Sequence, residues 1–174
     1  MAVLKVRIYG DPVLRRKADP VKEITPELRR MIGDMVETMY EEVGIGLAAT
    51  QVGIGLRLMV IGDEDGRDAQ AVINPVITER RGEVKAEEGC LSLPGIFAHI
   101  TRSEWVRVEA RDIYDQPMTI EARGLRARVL QHEMDHLDGI LFIDHLDAMA
   151  RDRIKRRIKK EGFPEESAHR AFAL

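Results

Sequence analysis

The chain has one cysteine, Cys90, in 174 residues. No intramolecular disulfide can form, and a reducing compartment suits such a chain. Charge of one sign is not in large excess: 27 lysines and arginines stand against 30 aspartates and glutamates, a net charge of −3. Bulk electrostatics therefore give no pull toward DNA or an anionic membrane. No stretch reaches the roughly 18 consecutive apolar residues that a spanning helix needs. Between Met1 and Arg7 the apolar residues are few and broken by charge, so no secretory signal is expected. These absences leave a cytoplasmic protein with no membrane or DNA partner. The length suits one domain, residues 1–174, that buries a core without disulfides.

What is present divides into helical and strand-like stretches. Leu4 to Ile8 alternates apolar and basic residues, as a half-buried strand does, and Gly10-Asp11-Pro12 turns the chain. Residues 14–20 suit an exposed turn or loop. A helix is expected from Thr25: Thr25 can cap, Pro26 suits the first position, and Glu27 suits the positive end of the dipole. Leu28, Met31, Ile32, Met35, Val36, Met39, Tyr40 and Val43 then fall at three- and four-residue steps, the stripe of a helix packed on a core. The small-residue segment Gly44 to Gln51 follows. It lacks the Lys-Ser/Thr of a P-loop and the three-glycine dinucleotide fingerprint, so close backbone approach is the better reading.

From residue 56 to about 122 the chain reads as short strands: 56–61, 71–73, 76–79, 84–88, 96–100, 105–111 and 118–122, with Asn74-Pro75 and Pro94-Gly95 as breaks. The acidic run 62–68 is a solvated turn lacking EF-hand spacing. Gly124 precedes a second helix with apolar residues on more than one side, hence buried, and Gly139 ends it. A third helix begins near Asp144 or Asp147 and runs to Lys160, with a polar tail after it. It is basic, with Ile154 and Ile158 as its apolar seam. Its cations suit either a solvated face or an anionic partner. The expected fold class is α+β: mainly antiparallel sheets packed around the central second helix, with an N-terminal and a C-terminal helix.

The second helix carries His132, Glu133 and His136, a His-Glu-x-x-His spacing. Two imidazoles one turn apart share a face, with a carboxylate beside them to serve as general base. A catalytic metal then needs a third ligand and an open position. Glutamates farther along, as in thermolysin-like proteases, would be Glu161, Glu165 or Glu166, at a basic helix end or in the tail. A third histidine at metzincin spacing is missing, and His145 lies past a helix break. Cys90, the only thiol, is the better candidate; a Cys-His-His set suits Zn²⁺ or Fe²⁺.

Three blocks in order, Gly44 to Gln51, Glu88 to Ser92, and Gln131 to Leu137, resemble the peptide deformylase family, and the resemblance extends over most of residues 4–145. It implies a hydrolase that removes the formyl group from N-formylmethionine on newly made polypeptides. Cys90, His132 and His136 would bind one divalent metal, Fe²⁺ in the cell, with Zn²⁺, Ni²⁺ or Co²⁺ able to take its place. Glu133 would be the base, and Gln51 with the Leu91 amide would stabilise the oxyanion. Ile45, Gly46, Glu88, Gly89, Leu125 and Val129 would line the substrate side, and Arg102 would pair with Glu88. Arg128, four residues before His132, either snorkels to the rim of the methionine pocket, the reading we favour, or alters specificity. The resemblance also makes the ribosome a candidate partner for the basic segment from about residue 147. The rivals are a zinc endopeptidase of the His-Glu-x-x-His type and a purely structural metal module.

Overall fold

A computed structural model describes residues 2–62 and 68–164. The expected acidic turn lies largely outside the described residues, as do the polar tail, Glu165 and Glu166. The first helix, α1, spans Pro26–Glu41. Thr25 Oγ1 accepts from the Leu28 amide at 3.1 Å, satisfying one of the free N–H groups of the first turn. Leu28, Ile32, Met35 and Met39 are buried against Leu47, Leu58, Val60 and Ile73. The stripe stops short of its expected end: Tyr40, in the last turn, is exposed, and so is Val43, which lies past the helix end at Glu41 and at positive φ.

Seven strands follow: β1 Gly46–Ala48, β2 Leu58–Gly62, β3 Ala69–Arg81, β4 Val84–Cys90, β5 Leu93–Arg102, β6 Trp105–Arg111 and β7 Pro117–Arg123. Five make one antiparallel sheet in the order β1-β2-β3-β6-β7, and β4 pairs with β5 as a separate antiparallel hairpin. Between sheet and hairpin runs α2, Gly124–Leu137. Ala127, Val129, Leu130 and Leu137 pack on the sheet residues Met59, Val72, Val106 and Ile120. A helix covered on both sides has apolar residues around more than one face, and its sequence has that pattern. The C-terminal helix, α3, spans Ala148–Glu161 and is capped by Asp147, whose side chain accepts from Ala150 at 2.8 Å. Ile154 and Ile158 seat it on the cluster around Leu93, Ile100 and Phe142.

Several segments depart from their local sequence pattern because their partners lie far away in sequence. Residues 4–8 form no strand. The Leu4 amide goes to Thr38 Oγ1 at 2.7 Å and the Arg7 amide to the Gln51 carbonyl at 2.6 Å, so no ladder forms. Asn74-Pro75 does not divide β3. The strand runs through it with a register shift, and Asn74 at φ +52° bonds both backbone groups of Val21. The hairpin turns at residues 91–92, leaving Pro94-Gly95 inside β5. Leu14, read as part of an exposed loop, is buried beside Phe142 and Cys90. Gly139, at φ +74°, does stop α2; a Cβ there would lie 2.6 Å from the Arg15 carbonyl oxygen, so the position needs glycine twice over.

Candidate metal centre

Because α2 places residues four apart on one face, His132 and His136 project side by side, and both are buried. Their Nε2 atoms are 3.2 Å apart. The end of β4 brings Cys90 to the same point, with Sγ 3.4 Å from His136 Nε2. The three donor atoms all lie within 4.8 Å of one another, and among the described residues this is the only group of three or more His, Cys, Asp or Glu side chains so gathered. Metal bonds of about 2.05 Å to nitrogen and 2.3 Å to sulfur, meeting at the tetrahedral angle, separate ligands by about 3.3 Å (N to N) and 3.5 Å (S to N). The two observed spacings match two edges of one face of such a tetrahedron, and the third pair, Cys90 and His132, lies within 4.8 Å.

Electrostatics favour the same occupant. Burial holds the basicity of His136 well below the ordinary histidine value, with the neighbouring His132 adding to the effect. His132 is also lowered by burial, against an opposing hydrogen bond to Glu88. Burial, then the charge of Glu133, pushes the Cys90 thiol far above its usual range. A bare thiolate is therefore costly there, and a divalent cation is what relieves the cost. His136 Nδ1 and both Glu133 carboxylate oxygens are buried without a hydrogen-bond partner, the kind of unsatisfied group that marks a site rather than a core.

Glu133, one position past His132, is fully buried, and burial raises its carboxyl to about 8. The nearby Ala48 amide offsets this only in part, being given at 2.9 Å to Gln51 Oε1. β1 passes close by: a Cβ on Gly46 would sit 2.7 Å from Val129 Cγ1 and 3.0 Å from Glu133 Cγ and Oε1. Only glycine lets that strand lie against the carboxylate. Gln51 Nε2 donates to Cys90 Sγ at 3.7 Å and to Ser92 Oγ at 3.2 Å. Leu91 stands in the β4–β5 turn, next to Gly44.

Behind His132 the carboxylate of Glu88 receives Nδ1 at 2.9 Å. Ionised, it can only accept, so Nδ1 carries the hydrogen and the Nε2 lone pair faces the centre. Burial alone would raise Glu88, but hydrogen bonds from His132 and Arg102 overcome it and hold the carboxyl well below its usual range. Arg102 makes the expected pair, bidentate at 2.9 and 3.0 Å, and reaches Asp135 at 2.5 Å. His145 adds a bond to Asp135 at 2.7 Å; it belongs to this outer layer and is not one of the three donors. The Asp135–His145 pair was missed in the sequence, since nothing local links residues ten apart across a helix end.

Two placements differ from expectation. Glu88, expected on the substrate side, has its carboxylate fully enclosed behind His132. Arg128 is not at a rim. It is 4 % exposed and turned inward, donating to Glu88 at 2.5 Å and to the Ile100 and Val84 carbonyls at 2.8 and 2.7 Å. With a carboxylate and two carbonyls within reach, burial costs less than an unpaired cation would. Gly89 is buried beside Cys90, Val129 lies next to Gly46, Ile45 packs on the α2 cluster, and Leu125 is 57 % exposed at the start of α2. A cleft of about 710 Å³ lined by Arg57, Arg80, Arg102, Met134, Asp135 and His145 lies along a different face of α2 and includes none of the three donors.

A buried thiol and two imidazoles gathered beside an unpartnered carboxylate suit a catalytic metal centre, and comparison with known proteins says which family it belongs to. The polypeptide deformylase family model matches residues 3–152. A peptide deformylase of Tolumonas auensis is 50 % identical over 161 residues, covering 92 % of this chain and 96 % of the relative. The crystal structure of a peptide deformylase from Legionella pneumophila superposes with a TM-score of 0.86 at 42 % identity, covering 91 % of this chain and 95 % of that one. That of the Ehrlichia chaffeensis enzyme in complex with actinonin gives a TM-score of 0.85 at 36 % identity, over 92 % and 99 %. With the match running from the N-terminal segment into α3 and taking in all three sequence blocks, this chain belongs to the polypeptide deformylase family.

Proposed function

We propose that this chain is a metal-dependent hydrolase that removes the formyl group from the N-terminal N-formylmethionine of newly made polypeptides and releases formate. The observation that carries the reading is the meeting of Cys90 Sγ, His132 Nε2 and His136 Nε2 beside the unpartnered Glu133 carboxylate. Bound by those three donors, a divalent cation supplies Lewis acidity and brings the pKa of a water toward about 7. Glu133 takes the proton of the attacking water and later returns it to the departing amine. Gln51 Nε2, held by the Ala48 amide on its other end, and the Leu91 backbone N–H stabilise the developing oxyanion. Gly46 and Val129 crowd the space beside Glu133, which suits a formyl carbon bearing only hydrogen. Ile45, Gly89 and Leu125 line the rest of the substrate side. We assign Fe²⁺ as the metal in the cell, with Zn²⁺, Ni²⁺ and Co²⁺ able to replace it, and the cytoplasm as the place of action. We treat residues 1–174 as one catalytic unit.

Formate release from formyl-Met-Ala-Ser, with metal analysis after anaerobic purification, tests this directly. Turnover with about one metal per chain is expected. Full metal occupancy without formate release would overturn the assignment.

We also propose that α3 contacts the ribosome. Arg153, Arg156, Arg157, Lys159 and Lys160 stand exposed on it, while Ile154 and Ile158 face the core; such a cationic face suits the phosphates of RNA. A chain truncated before Asp147 is expected to lose salt-sensitive co-sedimentation with ribosomes while still releasing formate. Unchanged pelleting would remove this partner.

A further inference from the structure

The charges behind His132 are the buried carboxylate of Glu88, the part-buried carboxylate of Asp135, and two buried guanidinia, Arg102 and Arg128. Arg102 serves both carboxylates, at 2.9 and 3.0 Å to Glu88 and 2.5 Å to Asp135. Its charge is thus divided, and it cannot neutralise Glu88 by itself. Arg128 supplies the second cation. It donates to Glu88 Oε2, whereas His132 donates to Oε1. Two further bonds tie the same guanidinium to Val84 on β4 and Ile100 on β5. These carbonyls belong to the strand pair that also carries Glu88 and, at its far end, Cys90.

On the reading of this site as a metal centre, we infer that Arg128 is a positioning residue that sets metal affinity through Glu88. Its charge completes the neutralisation of the buried Glu88 carboxylate. That keeps Glu88 aligned as the acceptor for His132 Nδ1–H, and His132 keeps its Nε2 lone pair turned to the Cys90–His136 face. Outer partners of metal-binding histidines commonly contribute about 10- to 100-fold in metal affinity.

The test compares Arg128→Lys with Arg128→Gln, using Zn²⁺ competition against a chelator in the full chain. Lysine keeps the charge and loses most of the carbonyl ties; glutamine loses both the charge and most of the ties. Arg128→Gln is expected to bind Zn²⁺ roughly 10- to 100-fold more weakly, and Arg128→Lys within about threefold of wild type. Wild-type affinity in Arg128→Gln, or equal losses in both variants, overturns the inference, the latter by showing that the carbonyl ties alone matter. If Arg128→Gln does not fold, Arg128→Met, a second uncharged replacement, takes its place: a loss of tenfold or more beside a near-wild-type Arg128→Lys supports the role, and wild-type affinity overturns it. The two readings fail separately. A wild-type chain that binds Zn²⁺ but releases no formate refutes the deformylase assignment and leaves this inference standing.

Discussion

Glu133→Gln is expected to lower kcat for formate release by roughly 10²- to 10⁴-fold, the usual contribution of a positioned general base, with metal content unchanged. The substitution keeps shape and volume at a fully buried position and removes only the ability to accept a proton. Neither carboxylate oxygen has a hydrogen-bond partner, so no structural bond is lost with the charge. A second readout separates chemistry from folding. Burial raises this carboxyl from 4.5 to about 8, so ionisation favours the unfolded chain as pH rises through that window. Metal-free Glu133→Gln should therefore melt at or above the wild-type temperature at pH 7, the difference closing below about pH 4.5. A kcat within threefold of wild type would refute the general-base role; it is also what a purely structural metal module predicts.

Cys90→Ser is the second large effect. Metal affinity should fall by more than about 10²-fold, since even outer partners of metal ligands are worth 10- to 100-fold, and formate release should fall with it. Sulfur is a softer ligand than an alcohol oxygen, and a thiol loses its proton far more readily than an alcohol. Burial pushes the Cys90 thiol up strongly, so its thiolate is stable only with the cation present. The loss should be visible as metal released on gel filtration, with helix content retained. A zinc endopeptidase with a carboxylate third ligand predicts the opposite, namely metal and activity that survive the change. That outcome would sink the Cys-ligated centre.

Several features were legible before any tertiary contact was known. A helix has a 3.6-residue period whatever it packs against, so the Leu28–Met39 stripe, the one-turn spacing of His132 and His136, and the Ile154–Ile158 seam could be placed from the sequence. Gly139 marked its helix end for the same local reason. A lone thiol in a chain with a two-histidine helix was also visible, and the ordered blocks around it pointed to a family. Strand-like residues were less informative, because a strand is completed by its neighbour. Leu4 to Ile8 has strand character but no partner ladder, while Asn74-Pro75 is carried inside β3 because Val21 satisfies the Asn74 side chain.

Local rules were enough for the existence of the three helices, the Thr25 cap and Leu28–Met39 stripe of the first, and the pair of imidazoles on the second. What meets across distance depended on the tertiary fold. It set Cys90 against His136 over 46 residues, enclosed Glu88 behind His132, and turned Arg128 inward when its helix position suggested the rim. The physical reason is reach. A backbone period fixes which way a side chain leaves its element, but a long charged side chain settles where desolvation is repaid by partners, and those partners lie on strands that no local pattern places beside it.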